Sequence, residues 1–113
     1  MFSRRSSSLT PNDAAAALSR GDLQLVDVRD AAELTEARVE GANHIPLGEL
    51  SQRLAELDRK RPVAFLCRSG ARSAIATRAA AEAGLDAANV KGGVIAWSRA
   101  GLPLAPTSKR GGA

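Results

Sequence analysis

The chain has 113 residues and a mass of 11.7 kDa, enough for one packed core and not for two. Its formal charge of +4 and isoelectric point near 10.2 trace to Arg4, Arg5, Lys109 and Arg110 in the end segments, because residues 9–105 carry 12 basic and 12 acidic groups. A neutral core with only Phe2, Phe65 and Trp97 as aromatics argues against a nucleic-acid partner, and a lone cysteine, Cys67, excludes an internal disulfide, a CxxC redox pair and a zinc knuckle.

Arg4-Arg5 is followed by Ser6-Ser7-Ser8 rather than by an apolar stretch, so no signal peptide is read and a cytoplasmic location is expected. No apolar run approaches the ~18–20 residues of a membrane span, so no membrane partner is expected either. Residues 1–7 read as a flexible N-terminus, with Ser8-Leu9 able to add a short first strand, and 8–106 as one domain. Thr10-Pro11-Asn12-Asp13 opens a helix: Thr10 can cap it, Pro11 suits the first turn and Asp13 complements the positive dipole end. That helix runs through Leu18 and stops near Gly21. Gln24–Val28 is a β-prone run, and Asp30–Thr35 a short helix. Gly41-Ala42 breaks the chain before an extended Asn43-His44-Ile45. Leu47, Leu50, Leu54 and Leu57 share one helical face and are expected in the core.

Val63-Ala64-Phe65-Leu66 is entirely apolar and predicts a central strand. A polar loop, Cys67–Arg72, follows, and then an Ala-rich helix from Ser73 to Ala83. Ala88–Lys91 predicts a last strand, Gly92-Gly93 a turn, and Val94–Arg99 a helix closed by Gly101. Leu102–Pro106 closes the fold, and Thr107–Ala113 is expected to be a disordered tail. Strands alternate with helices, which predicts an α/β fold with a mostly parallel sheet.

The loop between strand and helix carries the chemistry. In a parallel sheet it places Cys67 at the carboxyl end of a strand, where ligands bind. The following helix turns free N–H groups toward the same point, and a loop containing Gly70 can curl into an anion nest. Such surroundings favour the thiolate. Arg68 and Arg72 add fixed positive charge suited to oxyanions. They belong to a block, between Asp58 and Glu82, with six basic residues and no acidic one, while residues 22–58 hold nine acids against three arginines.

Three separated blocks resemble the rhodanese-like single-domain sulfurtransferases. The first is Leu25-Val26-Asp27-Val28-Arg29 with Glu33, Gly41-Ala42 and Ile45-Pro46; the second is the Cys67–Ser73 loop. The third is Val90-Lys91-Gly92-Gly93-Val94 with Trp97 and Gly101-Leu102-Pro103. One stretch departs from the family: Glu36–Glu40 stands where Gly-His-Ile is usual, which affects the local turn rather than the loop. The resemblance implies a rhodanese-like α/β fold with a five-stranded sheet and helices on both faces. It implies Cys67 as the persulfide carrier, with Arg68, Ser69, Gly70, Ala71, Arg72 and Ser73 as the substrate-binding loop. By the same resemblance, four residues between Cys67 and Arg72 match the sulfurtransferases, whereas related dual-specificity phosphatases have five.

The expected activity is that of a thiosulfate sulfurtransferase. Sulfane sulfur passes from a small anionic donor through Cys67 to a thiophilic acceptor such as cyanide, a thiol or a protein. No cofactor and no metal is expected, and the acceptor comes from outside because no second cysteine can resolve the persulfide. A sulfur-relay or protein-interaction module, and an arsenate reductase or phosphatase on the same fold, remain open. Asp27, Arg29 and Glu33 read as a structural charge cluster near the site, Trp97 as core, and His44 as a histidine bonded to local backbone rather than a base.

Overall fold

A computed structural model describes residues 7–106. The predicted disordered tail, 107–113, lies outside the described residues, as do residues 1–6 of the predicted flexible start. Ser7, placed in that start, instead opens the first strand.

In chain order the elements are β1 (Ser7–Leu9), α1 (Pro11–Ser19), β2 (Gln24–Asp27), β3 (Arg38–Val39), β4 (Asn43–His44), α2 (Leu50–Arg53), β5 (Val63–Leu66), α3 (Ala71–Glu82), β6 (Ala87–Val90), α4 (Gly93–Arg99) and β7 (Leu104–Ala105). Short 3₁₀ turns cover Ala31–Thr35, Leu47–Glu49 and Leu54–Glu56. Five strands form one sheet in the order β1-β6-β5-β2-β4, and every neighbouring pair is parallel. β5 sits at the centre, as its apolar sequence predicts.

The two faces of β5 build the two halves of the core. Val63 and Phe65 pack with Ala76 and Ala80 of α3 and with Leu50 of α2. Ala64 and Leu66 face the other way, toward Ala14 and Ala17 of α1 and Trp97 of α4. Helices therefore cover both faces, and the alternation of side chains along the strand assigns each residue to its layer. Alanines line the inner sides of α1 and α3, so the helices carry little bulk toward the sheet.

Local signals explain the helix ends. The Thr10 hydroxyl accepts from the Asp13 N–H at 3.1 Å, the expected cap. The helix predicted from Ser73 begins at Ala71 instead, because Gly70 at its N-cap takes a left-handed φ of 119° and turns the chain two residues early. Arg72 thus stands in the first turn of α3 rather than in a loop.

The leucine stripe 47–57 is core, but it is not one helix. It is a 3₁₀ turn, the single turn of α2 and a second 3₁₀ turn, with Leu50 and Leu57 buried and Leu47 and Leu54 packed against the same layer. The Glu36–Glu40 stretch contributes β3, which pairs antiparallel with β7, Arg38 opposite Ala105 and Val39 opposite Leu104. Trp97 secures that return by donating its indole N–H to the Pro103 carbonyl at 3.0 Å. Among the described residues no helix is long and apolar enough to cross a membrane.

Phe65 is fully buried at the middle of the central strand. Phe65→Ala is expected to lower the unfolding free energy by about 3–5 kcal/mol in urea denaturation, the usual cost of a large cavity in a close-packed core.

Candidate active site

Cys67 follows the last residue of β5 and is buried, with 1% of its surface exposed. Its Sγ lies 3.1 Å from the Gly70 N–H nitrogen, 3.4 Å from that of Ser73 and 3.3 Å from the Ser73 hydroxyl. Burial pushes the thiol up. The Ser73 hydroxyl and the N–H groups of Ser73, Gly70 and Ser69 outweigh it, and the thiol is held below its ordinary pKa. Of the N–H groups expected to form the nest, those of Ser69, Gly70 and Ser73 act on the sulfur.

The carbonyl groups of the same loop point away from the sulfur. Cys67 O accepts from the Val94 N–H at 2.8 Å and Arg68 O from the Ile95 N–H at 3.1 Å. The first turn of α4 therefore lies directly against the loop backbone. Gly93 permits this approach: at φ 58° its place on the helix is left-handed, and a Cβ there would overlap the Cys67 and Arg68 carbonyl groups. The turn role expected of Gly92-Gly93 is borne out, with this closer purpose added.

A polar side chain from β6 completes the loop. Asn89 donates from Nδ2 to the Gly70 carbonyl at 3.3 Å, and its Oδ1 accepts from the Ser73 hydroxyl at 2.5 Å. The sequence reading missed Asn89. The available signal was a single amide in the otherwise apolar run Ala87-Ala88-Asn89-Val90.

The arginines part company. Arg68 is exposed and makes no side-chain hydrogen bond among the described residues. Arg72 grips Glu33 with both terminal nitrogens, at 2.7 and 2.9 Å. The guanidinium of Arg72 is the main reason that the Glu33 carboxyl sits at about 2 rather than 4.5, with the Asp30 N–H assisting against partial burial. Of the rest of the basic block, Arg78 stands nearest, lining a surface pocket with Asn89. Arg61 pairs with Asp58, and Arg59 donates to Ala83 O beyond the end of α3.

Asp27 and Arg29 form a buried ion pair at 2.8 Å. Arg29 also donates to the carbonyls of Glu33 and Ala37, at 3.3 and 2.7 Å, and so braces the segment that carries Glu33. The expected structural cluster is present and leads through Glu33 to Arg72. His44 Nε2 lies 2.6 Å from the Arg29 carbonyl oxygen, the local backbone partner expected of it. Trp97 is buried in the core. Ser69 in the loop and Ala71 at the start of α3 are exposed.

The sequence from residue 10 to residue 100 matches the family model of the rhodanese-like domain. The chain belongs to the rhodanese-like family. A sulfurtransferase of Allochromatium vinosum is 38% identical over 84 residues, 74% of this chain and 78% of that one. The thiosulfate sulfurtransferase GlpE of Glaesserella parasuis is 32% identical over 97 residues, covering 85% of this chain and 90% of its own. A crystal structure of a rhodanese-related protein from Thermoplasma volcanium superposes with a TM-score of 0.81 at 28% identity, over 88% of this chain and 97% of that one. This rhodanese-like domain is thus similar to proteins named as sulfurtransferases, which supports a transferase.

Two measurements test the construction of the site. Glu33 has a lowered carboxyl, so its contribution to stability is complete above its ordinary 4.5 and is lost as the pH falls toward about 2. Urea unfolding of the wild type and of Glu33→Gln is expected to show a stability gap at neutral pH that closes across that interval. Gly93→Ala is expected to cost more than the ~1–2 kcal/mol of a left-handed L-residue. Gly21→Ala measures that strain alone, since Gly21 also has a positive φ but no atom within 4 Å of the place a Cβ would take. Equal losses at the two positions would show that the close approach at Gly93 carries no cost of its own.

Proposed function

We propose that this domain is a thiosulfate sulfurtransferase that carries sulfane sulfur on Cys67. The observation that supports this most directly is one buried sulfur facing the N–H groups of Gly70 and Ser73 and the Ser73 hydroxyl. These donors stabilise an anion at the sulfur, either the thiolate or a persulfide. The similarity to a relative named for thiosulfate points the same way.

The reaction has two steps. The Cys67 thiolate attacks the outer sulfur of thiosulfate. A new S–S bond forms, the donor's S–S bond breaks, and sulfite leaves with the electron pair. The anionic persulfide then lies within the curl of 68–73. An external nucleophile such as cyanide or a thiol attacks its terminal sulfur and returns Cys67 to the thiolate. No electron is gained or lost overall, and the residues named need no metal or cofactor for either step.

Arg68 is the guanidinium with hydrogen-bonding capacity to spare, and it takes the donor's oxygens. Arg72 acts as a fixed positive charge, its terminal nitrogens being engaged by Glu33. Ser69, Gly70 and Ala71 serve through their backbone, and Ser73 through its backbone N–H and its hydroxyl. A cytoplasmic setting suits this chemistry, because a lone reactive thiol survives best where thiols are kept reduced.

Mass spectrometry of the intact chain after thiosulfate should show the gain of one sulfur atom on Cys67, and Cys67→Ser should show none and lose thiosulfate:cyanide transfer. Turnover that persists in Cys67→Ser would refute the assignment. Arg68→Ala is expected to raise the KM for thiosulfate roughly tenfold with little change in kcat, the worth of one charge-assisted hydrogen bond made equally in ground and transition states.

A further inference from the structure

Ser73 has one hydroxyl hydrogen and two acceptors within reach. Its Oγ lies 3.3 Å from Cys67 Sγ and 2.5 Å from Asn89 Oδ1. A hydroxyl donates only once. The amide cannot turn away, because its Nδ2 donates to the Gly70 carbonyl and thereby directs Oδ1 at Ser73. The backbone of Asn89 is fixed on both sides as well, opposite Ser8 of β1 and Phe65 of β5.

The two protonation states of Cys67 use these groups differently. As a thiol, Cys67 can donate its S–H to Ser73 Oγ while Ser73 donates to Asn89, and every group has a partner. As a thiolate, the sulfur needs the Ser73 hydrogen. Ser73 must then withdraw it from Asn89, and Oδ1 loses its donor. The amide oxygen and the sulfur compete for one hydrogen.

We infer that Asn89 is a positioning residue that restrains the ionisation of Cys67 by holding the Ser73 hydroxyl. This rests on Cys67 being the nucleophile proposed above. Asn89 acts through Ser73 and needs no contact with the donor. The charged groups around the site are few. Arg72 of α3 is paired with Glu33 of the 31–35 turn, and Asp27 with Arg29 after β2. Asp30 caps that turn, Arg68 is exposed in the loop, Arg78 of α3 is exposed and lines the same surface pocket as Asn89, Lys91 is exposed beyond β6, and the first turn of α4 carries no charge. None of them is bonded to Ser73 or Asn89 among the described residues, so substitutions at Asn89 leave their pairing intact.

The test follows the rate of Cys67 alkylation by iodoacetamide against pH, on the full chain and without a sulfur donor. Cys67 is the sole cysteine, so the signal has one source. Asn89→Ala is expected to lower the midpoint by ~0.5–1 pH unit, the worth of one neutral hydrogen bond redirected to the sulfur. Asn89→Asp is expected to raise it, since a carboxylate holds the hydroxyl more strongly. In a Ser73→Ala background, Asn89→Ala should shift nothing further, and the Asn89→Asp shift should shrink. A general loosening of the loop would move both Asn89 variants in the same direction. Shifts of one sign, no shift, or an Asn89→Ala shift that survives without Ser73 would overturn the inference. Should Asn89→Ala fail to fold by thermal melting, the Asn89→Asp pair with and without Ser73 decides alone. The readout is independent of sulfur transfer: shifts as expected with no sulfur gained from thiosulfate would sink the proposed function and leave this inference standing.

Discussion

Val94 and Ile95 donate their N–H groups to the carbonyls of Cys67 and Arg68, and the shape of the site follows from those two bonds. A trans peptide is planar, with its C=O and the next N–H pointing opposite ways. Turning the Cys67 and Arg68 carbonyls out toward α4 therefore turns the following N–H groups, of Arg68 and Ser69, away from that helix, and the Ser69 N–H acts on the sulfur. The first turn of α4 thus sets the polarity of the nest. Only glycine at 93 lets the two backbones come this close.

Charge is arranged with similar economy. The sequence separates an acidic first half from a basic second half, which suggests a broad field. The folded chain divides the basic block instead. Arg59 and Arg61 are taken up at the far end of the sheet, by Ala83 O and Asp58, Arg78 lines a surface pocket with Asn89, and Arg68 and Arg72 stand in the loop and helix turn that follow the thiol. Of these, Arg72 is held by Glu33 and Arg68 is exposed. Asp27 and Arg29 are buried but satisfied by each other and by backbone, which is the condition for burying charge at tolerable cost.

What the sequence disclosed depended on signal length. The apolar runs of β2 and β5, the capped start of α1 and the strand–loop–helix around Cys67 are long or distinctive enough to read directly. The pairing of β3 with β7 involves two residues on each side, too few for any periodicity to show. The stripe 47–57 has helical spacing, but the backbone leaves helical angles at Arg53, at φ −115° and ψ 9°, and spacing alone does not show that break. The start of α3 moved because Gly70 can take a backbone angle that pattern reading does not weigh. Asn89 gains meaning only when β6 is set beside β5, since its partners Gly70 and Ser73 are 19 and 16 residues away in the chain.

The Glu33–Arg72 bridge has a further consequence. It spans 39 residues of chain and joins a short surface turn to the helix that closes the nest. The turn itself has no buried residue and hangs on Arg29 and on its Asp30 cap. Local opening of such a segment is cheaper than global unfolding. Opening of the turn breaks both bonds between Glu33 and Arg72 at once. The first turn of α3 is thus tied to the breathing of a turn in the other half of the sequence, and whatever loosens residues 31–35 acts on the helix that follows the thiol.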